Sequence, residues 1–148
     1  MSLSVDVSAE GVRVPLARAR VAELVRGVLR AEKVRDAMIS VAFLDDRAMA
    51  RLNREHLGHR GSTDVISFGM SAPGGPVIGD VYVAPAVVRA NARANGRPVR
   101  EELARVVVHG TLHVLGYDHP ETAARTGSEM WTRQERLVTR FIRGVAAR

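Results

Sequence analysis

The hydrophobic pattern of the chain switches repeatedly between a period of two and a period near 3.6. Residues 3–7 alternate apolar and polar side chains, as a half-buried strand does. After Pro15, the residues Leu16, Val21, Leu24, Val25, Val28 and Leu29 share one side of a helix predicted over 16–31. A second strand is predicted over 39–44, and Asp45 or Asp46 then caps a helix running through Met49 and Leu52 towards Leu57. Residues 58–62 read as a loop and 63–68 as a third strand. The Ser-Ala-Pro-Gly-Gly-Pro run over 71–76 is the clearest loop, and Gly79-Asp80 leads into a fourth strand over 81–84. Pro85 opens a helix over 85–95 that Gly96 closes. A strongly apolar helix follows over 100–115, ended by Gly116.

The last segment, 121–145, is predicted largely helical, with Gly127-Ser128 weakening its start. Met130, Trp131, Leu137, Val138, Phe141, Ile142 and Val145 form its apolar face, and Arg133, Arg136, Arg140 and Arg143 its solvated face. Interspersed strands and helices predict a mixed sheet with helices packed on it.

Length and composition narrow the classes. A chain of 148 residues suits one domain spanning 1–148. Its apolar runs are too short to predict a membrane span. Its opening residues lack the charged-then-apolar pattern of a signal peptide. The absence of cysteine excludes disulfides, thiolate metal sites and a cysteine nucleophile, and fits a reducing cytoplasm. The net charge is +6, and Lys33 is the single lysine beside 21 arginines. This balance permits binding to nucleic acid, and equally reflects an arginine-rich composition.

The chemistry concentrates in one stretch, His109-Gly110-Thr111-Leu112-His113-Val114-Leu115-Gly116-Tyr117-Asp118-His119. His109 and His113 stand four apart on the predicted helix, so both rings project from one face and can share a metal ion. Gly116 ends the helix, and the chain turns to bring His119 in as a third ligand. This H-x3-H-x2-G-x2-H spacing is the one metzincin proteases use. Three imidazoles leave a fourth tetrahedral position open, the layout of a catalytic rather than a structural zinc. Asp118 is either a fourth ligand or an acceptor that orients a histidine. A zincin carries glutamate after its first histidine, whereas Gly110 holds that position here and cannot move a proton.

The histidine block resembles the signature of the YbeY family, the bacterial rRNA-maturation endoribonucleases. Leu52-Asn53 with Ser62-Thr63-Asp64-Val65-Ile66-Ser67-Phe68 resembles a second block of that family. Ile78-Gly79-Asp80-Val81 and Glu102-Leu103 resemble two more, in the same order. The resemblance implies an α+β fold, with a mixed four-stranded sheet, about five helices and one metal ion, expected to be zinc. It implies His109, His113 and His119 as ligands, acting in catalysis through the metal. The implied activity is cleavage of single-stranded RNA in small-subunit rRNA maturation and ribosome quality control. Implied partners are rRNA precursors, the small subunit, ribosomal proteins and assembly GTPases. The nucleophile stays open between hydroxide and the RNA's own 2′-hydroxyl, which would leave different ends.

One position departs from the family pattern. Leu57 stands where members often carry an arginine, and leucine cannot clamp a phosphate. Arg54 and Arg60 lie close by and could substitute, since a guanidinium pairs well with phosphate oxygens. His56 and His59 read as surface residues, and Asp64 as a structural acceptor near a turn. Two other functions share the same residues: a zinc protease or amidase, and a non-catalytic ribosome assembly factor whose metal stabilises its fold.

Overall fold

The computed structural model describes residues 1–117 and 129–146. Four strands, β1 (Leu3–Ala9), β2 (Ala37–Phe43), β3 (Val65–Gly69) and β4 (Val77–Val83), form one sheet in the order β1-β2-β4-β3. β1 and β4 both run parallel to β2, and β3 is antiparallel to β4, so the sheet is mixed as the sequence pattern implies. The helices are α1 (Arg18–Ala31), α2 (Asp46–Leu57), α3 (Pro85–Ala94), α4 (Val99–Val114) and α5 (Glu129–Ala146).

Helices α1 and α4 cover one face of the sheet, where Ile39, Val41, Phe43, Val81 and Val83 meet Val25, Leu29, Leu103, Val107 and Leu112. Amphipathic α2 covers the β3–β4 half of the other face, packing Met49 and Leu52 against Ile66, Phe68 and Tyr82. The β1–β2 half of that face stays open, with Ser4, Asp6 and Ser8 exposed and Met38 60% exposed.

Helix α4 is the hub. It packs against α1, α3, α5, β3 and β4, and eleven of its sixteen residues are buried. Such all-round burial explains why its sequence is almost continuously apolar rather than striped. Glu101 and Glu102 in its first turn complement the helix dipole. At the other end Gly116 takes φ +98°, and its N–H donates to the His113 carbonyl while that of Tyr117 donates to Leu112. This is a Schellman cap, which needs a left-handed residue and so favours glycine.

Several boundaries differ from the sequence expectation: β2 spans Ala37–Phe43 rather than 39–44 and β3 Val65–Gly69 rather than 63–68, while of the two candidate caps of α2 one is used. α1 begins at Arg18, although Leu16 ahead of it is still buried at 7% exposure. Asp45, not Asp46, caps α2, accepting from the Ala48 N–H at 2.8 Å. β4 begins at Val77, so Gly79 and Asp80 lie inside the strand, paired with Gly69 and Phe68 of β3. Gly79 is there for packing: a Cβ at that position would meet the Val114 side chain and come within 2.8 Å of the Phe68 carbonyl oxygen.

Asp118, His119 and the 121–128 part of the last predicted helix lie outside the described residues, as does the Val145 side chain. Among the described residues, no helix is long and apolar enough to cross a membrane.

Candidate metal centre and cleft

His109 and His113 occupy consecutive turns of α4, and their rings meet edge to face with centroids 4.6 Å apart. Both are half-buried, on a helix flanked by buried residues. The i, i+4 spacing thus sets two imidazoles side by side, as a shared metal ion requires. Among the described residues no group of three histidines, carboxylates or thiols is assembled; the expected third ligand, His119, lies beyond them.

Gly110 lies between the two histidines in sequence and faces the sheet. A Cβ there would lie 2.7 Å from Val81 Cγ1, 3.0 Å from Ser67 Oγ and 3.1 Å from Val65 Cγ2. The Ser67 hydroxyl donates to the Gly110 carbonyl at 3.0 Å, fixing α4 against β3. The glycine is therefore a contact residue, and a side chain at the place where a zincin carries its glutamate would force Val81 to shift.

Beside His109 opens a cleft of about 150 Å³, lined by Asp64, Val65, Arg97, Glu102, Arg105, Val106, Trp131 and Gln134 as well as the histidine. Four of these carry charge, and two are cations. Arg105 is almost fully buried and binds Glu135 with two hydrogen bonds, 2.9 Å from Nε and 3.0 Å from Nη2. Its Nη1 donates to Glu102 at 3.1 Å, and Arg97 reaches the same carboxylate at 3.6 Å. Burial alone would raise the Glu135 pKa, but hydrogen bonds from Arg105 and Gln134 outweigh it and hold the carboxyl below its ordinary value. Burial works against the Arg105 charge too, and its three carboxylates reverse that effect, leaving its pKa raised.

The network reaches the histidine through Gln134, which is 2% exposed. Gln134 Oε1 lies 2.7 Å from His109 Nδ1, and its Nε2 donates to Glu135 at 3.1 Å. None of Arg97, Arg105, Gln134 or Glu135 stands out by sequence reasoning as a site residue. The available signal was Gln134 itself, a polar residue four after Met130 and three before Leu137 on the buried stripe of α5.

Arg54 and Arg60 are exposed and are not among the residues lining the cleft; Leu57 beside them is 47% exposed. Arg54 lies on α2, across the sheet from α4, and Arg60 in the loop that follows. That loop is fastened by buried Asn53, whose side-chain N–H donates to the Gly61 carbonyl at 2.9 Å. His56 and His59 are exposed as expected, with the His56 ring edge-on to Phe68. Asp64 is half-buried at the cleft wall.

On α5 the apolar face assigned from sequence holds for Met130, Leu137 and Val138. Trp131 is half-buried and turned to the cleft rather than into the core. Arg136, Arg140 and Arg143 are exposed, whereas Arg133 bends back to pair with Glu32 of the α1 cap at 2.9 Å, so the solvated face is narrower than its spacing suggested.

A four-stranded mixed sheet bearing a buried helix with two adjacent histidines, next to a charged cleft, defines an α+β domain of hydrolytic type. The family model described as Endoribonuclease YbeY matches residues 6–142, and the chain belongs to that family. It is 40% identical over 134 residues to the Endoribonuclease YbeY of Kineococcus radiotolerans, covering 82% of this chain and 75% of that one. It is 38% identical over 152 residues to that of Beutenbergia cavernae, covering 96% and 99%. The fold also matches the solution structure of TM1509 from Thermotoga maritima, with a TM-score of 0.68 and 25% identity over 97% of this chain and 92% of that one.

Proposed function

We propose that the chain is a metal-dependent endoribonuclease that cleaves single-stranded RNA during small-subunit rRNA maturation and in ribosome quality control, in the cytoplasm. The observation that carries this reading is the His109–His113 pair on α4 at the edge of a cleft walled by Arg97, Arg105 and Trp131. The donor set suits zinc: two neighbouring imidazoles on a rigid helix, with His119 as the third. Bound there, the ion supplies Lewis-acid stabilisation of the charge that develops at phosphorus and activates the nucleophile.

The chain's own groups do the rest. Arg97, 40% exposed at the cleft, pairs with a phosphate oxygen, and Trp131 offers a face to a base. Arg54 and Arg60 hold the RNA backbone further out, in place of the arginine that Leu57 replaces. Partners are rRNA precursors and the small subunit, with ribosomal proteins or assembly GTPases delivering the enzyme. A protease reading lacks the zincin glutamate, because Gly110 holds that position and a Cβ there would press on Val81.

The test is cleavage of single-stranded and duplex RNA by purified protein, with metal content measured in the same sample and His113→Ala beside it. Single-strand cleavage that tracks bound metal and vanishes in the folded variant supports the proposal. A metallated, folded protein that binds ribosomal RNA without cutting it would instead be an assembly factor.

A further inference from the structure

We propose that Gln134 is a positioning residue that locks the tautomer of His109, and that Glu135 and Arg105 set the direction of the lock. The inference rests on the metal-dependent reading above, but its test does not require RNA cleavage.

Arg105, Glu135, Gln134 and His109 form a chain of donors and acceptors in which each link has one solution. Arg105 has only N–H donors, and it fills both oxygens of Glu135. An ionised carboxylate only accepts, so the Gln134 atom facing Glu135 at 3.1 Å is its NH2 group. The Gln134 carbonyl oxygen then faces His109 Nδ1 at 2.7 Å, and it too only accepts. The proton of the neutral imidazole must therefore sit on Nδ1, which leaves the lone pair on Nε2. A metal ligand needs that lone pair on a fixed nitrogen, and the hydrogen bond at the other nitrogen is what fixes it.

Burial makes the lock effective. Gln134 is 2% exposed and Arg105 8%, so water does not readily substitute for either partner. Flipping the amide would set an NH2 group against Nδ1–H and a carbonyl against a carboxylate, two repulsive contacts in a site of low dielectric. Glu135, which does not reach His109, thus dictates which nitrogen of His109 carries the proton.

The direct experiment is long-range ¹⁵N–¹H correlation NMR of the metal-free, full-length protein at about pH 8, above the ordinary imidazole pKa of ~6.5. His109 is assigned by the loss of its signals in His109→Ala. The expected result is a single His109 tautomer protonated at Nδ1. Gln134→Leu should give mixed tautomers and weaken zinc affinity about 10–100-fold in a chelator competition. Glu135→Gln alone should also mix the tautomers, because the Gln134 amide can then turn over. Gln134→Glu faces Nδ1 with an ionised carboxylate, which also only accepts, and should keep the single Nδ1-protonated tautomer.

Wild-type His109 protonated at Nε2 would overturn the proposal without any variant. So would an unchanged tautomer in a folded Gln134→Leu or Glu135→Gln protein. If Gln134→Leu does not fold, the near-isosteric Glu135→Gln and Gln134→Glu still decide the matter. A protein with the expected tautomer and zinc affinity that cut no RNA would refute the nuclease reading and leave this one standing.

Discussion

The guanidinium of Arg133 lies over the ring of Tyr117, 5.5 Å from its centroid. The two residues end the turn after α4 and begin the second turn of α5, and Glu32 binds Arg133 at 2.9 Å with only 8% of its own side chain exposed. Arg133 also holds Glu129, through Nε at 3.2 Å and Nη2 at 3.1 Å. One side chain therefore ties both flanks of the 118–128 segment, which contains His119, to the end of α1. The Tyr117 pKa is raised, first by its hydrogen bond to Glu32 and then by burial.

Arg133→Ala should accordingly loosen both anchors while leaving the core intact. Zinc affinity, measured by chelator competition, is expected to fall severalfold, with thermal unfolding close to wild type. A loss of affinity no larger than that of Arg143→Ala, an exposed residue on the same helix, would show that the flanks do not need the clamp.

Gly110 gives a packing prediction. Gly110→Ala introduces a Cβ against Val81, Ser67 and Val65, all within 3.1 Å, in a helix that is largely buried. Overpacking of this kind costs about 1–3 kcal/mol, which exceeds the ~1 kcal/mol that alanine gains over glycine in a helix. Urea unfolding should therefore show a lower midpoint at unchanged slope. A higher midpoint would mean that β3 and β4 yield easily.

The Glu135–Arg105 pair predicts an acid limb of stability. The folded-state pKa of Glu135 lies below its unfolded value, so its stabilising contribution is complete above the ordinary carboxylate range near 4.3. That contribution is lost as pH falls through the folded-state pKa, when the carboxylate takes up its proton. Melting temperature should fall more steeply below about pH 4.3 in the wild type than in Glu135→Gln. Parallel profiles would assign the acid limb to other carboxylates.

The arginines separate by where they stand. Arg97→Ala, inside the cleft, should lower kcat/KM for RNA and reduce the salt dependence of binding by about 0.7 in the log–log slope per lost phosphate contact. Arg54→Ala and Arg60→Ala should reduce that slope and raise KM while leaving kcat unchanged. If neither changes RNA binding, these two residues are solvated surface arginines, and the loss of the arginine at position 57 is not compensated there.

Much of this was legible in the sequence, for identifiable reasons. The His109–His113 pair followed from helical periodicity, and Gly116 as a helix end from its need for a left-handed turn. The strands β1, β2 and β3 were readable because their alternation reflects which face is covered. Gly79 misled the reading of β4, because a glycine within a strand resembles a turn residue until the helix pressing on it is known. Gln134 was invisible for a similar reason: its value lies in which two groups it separates, and Glu135 and His109 meet only once α5 has docked on α4. Trp131 and Arg133 were sorted by helical angle alone, which cannot register a cleft on one side or a glutamate reaching over from α1.

The position of α4 at the centre of the domain has a consequence for motion. Sites on loops can open by local fluctuations that leave the rest of the fold in place, but His109 and His113 sit on the helix against which α1, α3, α5, β3 and β4 all pack. Their amides should exchange with solvent deuterium only through openings close to global unfolding. Binding a metal then acts on the whole molecule: the same contacts that hold the imidazoles still allow an ion gripped by them to slow the unfolding of all four strands.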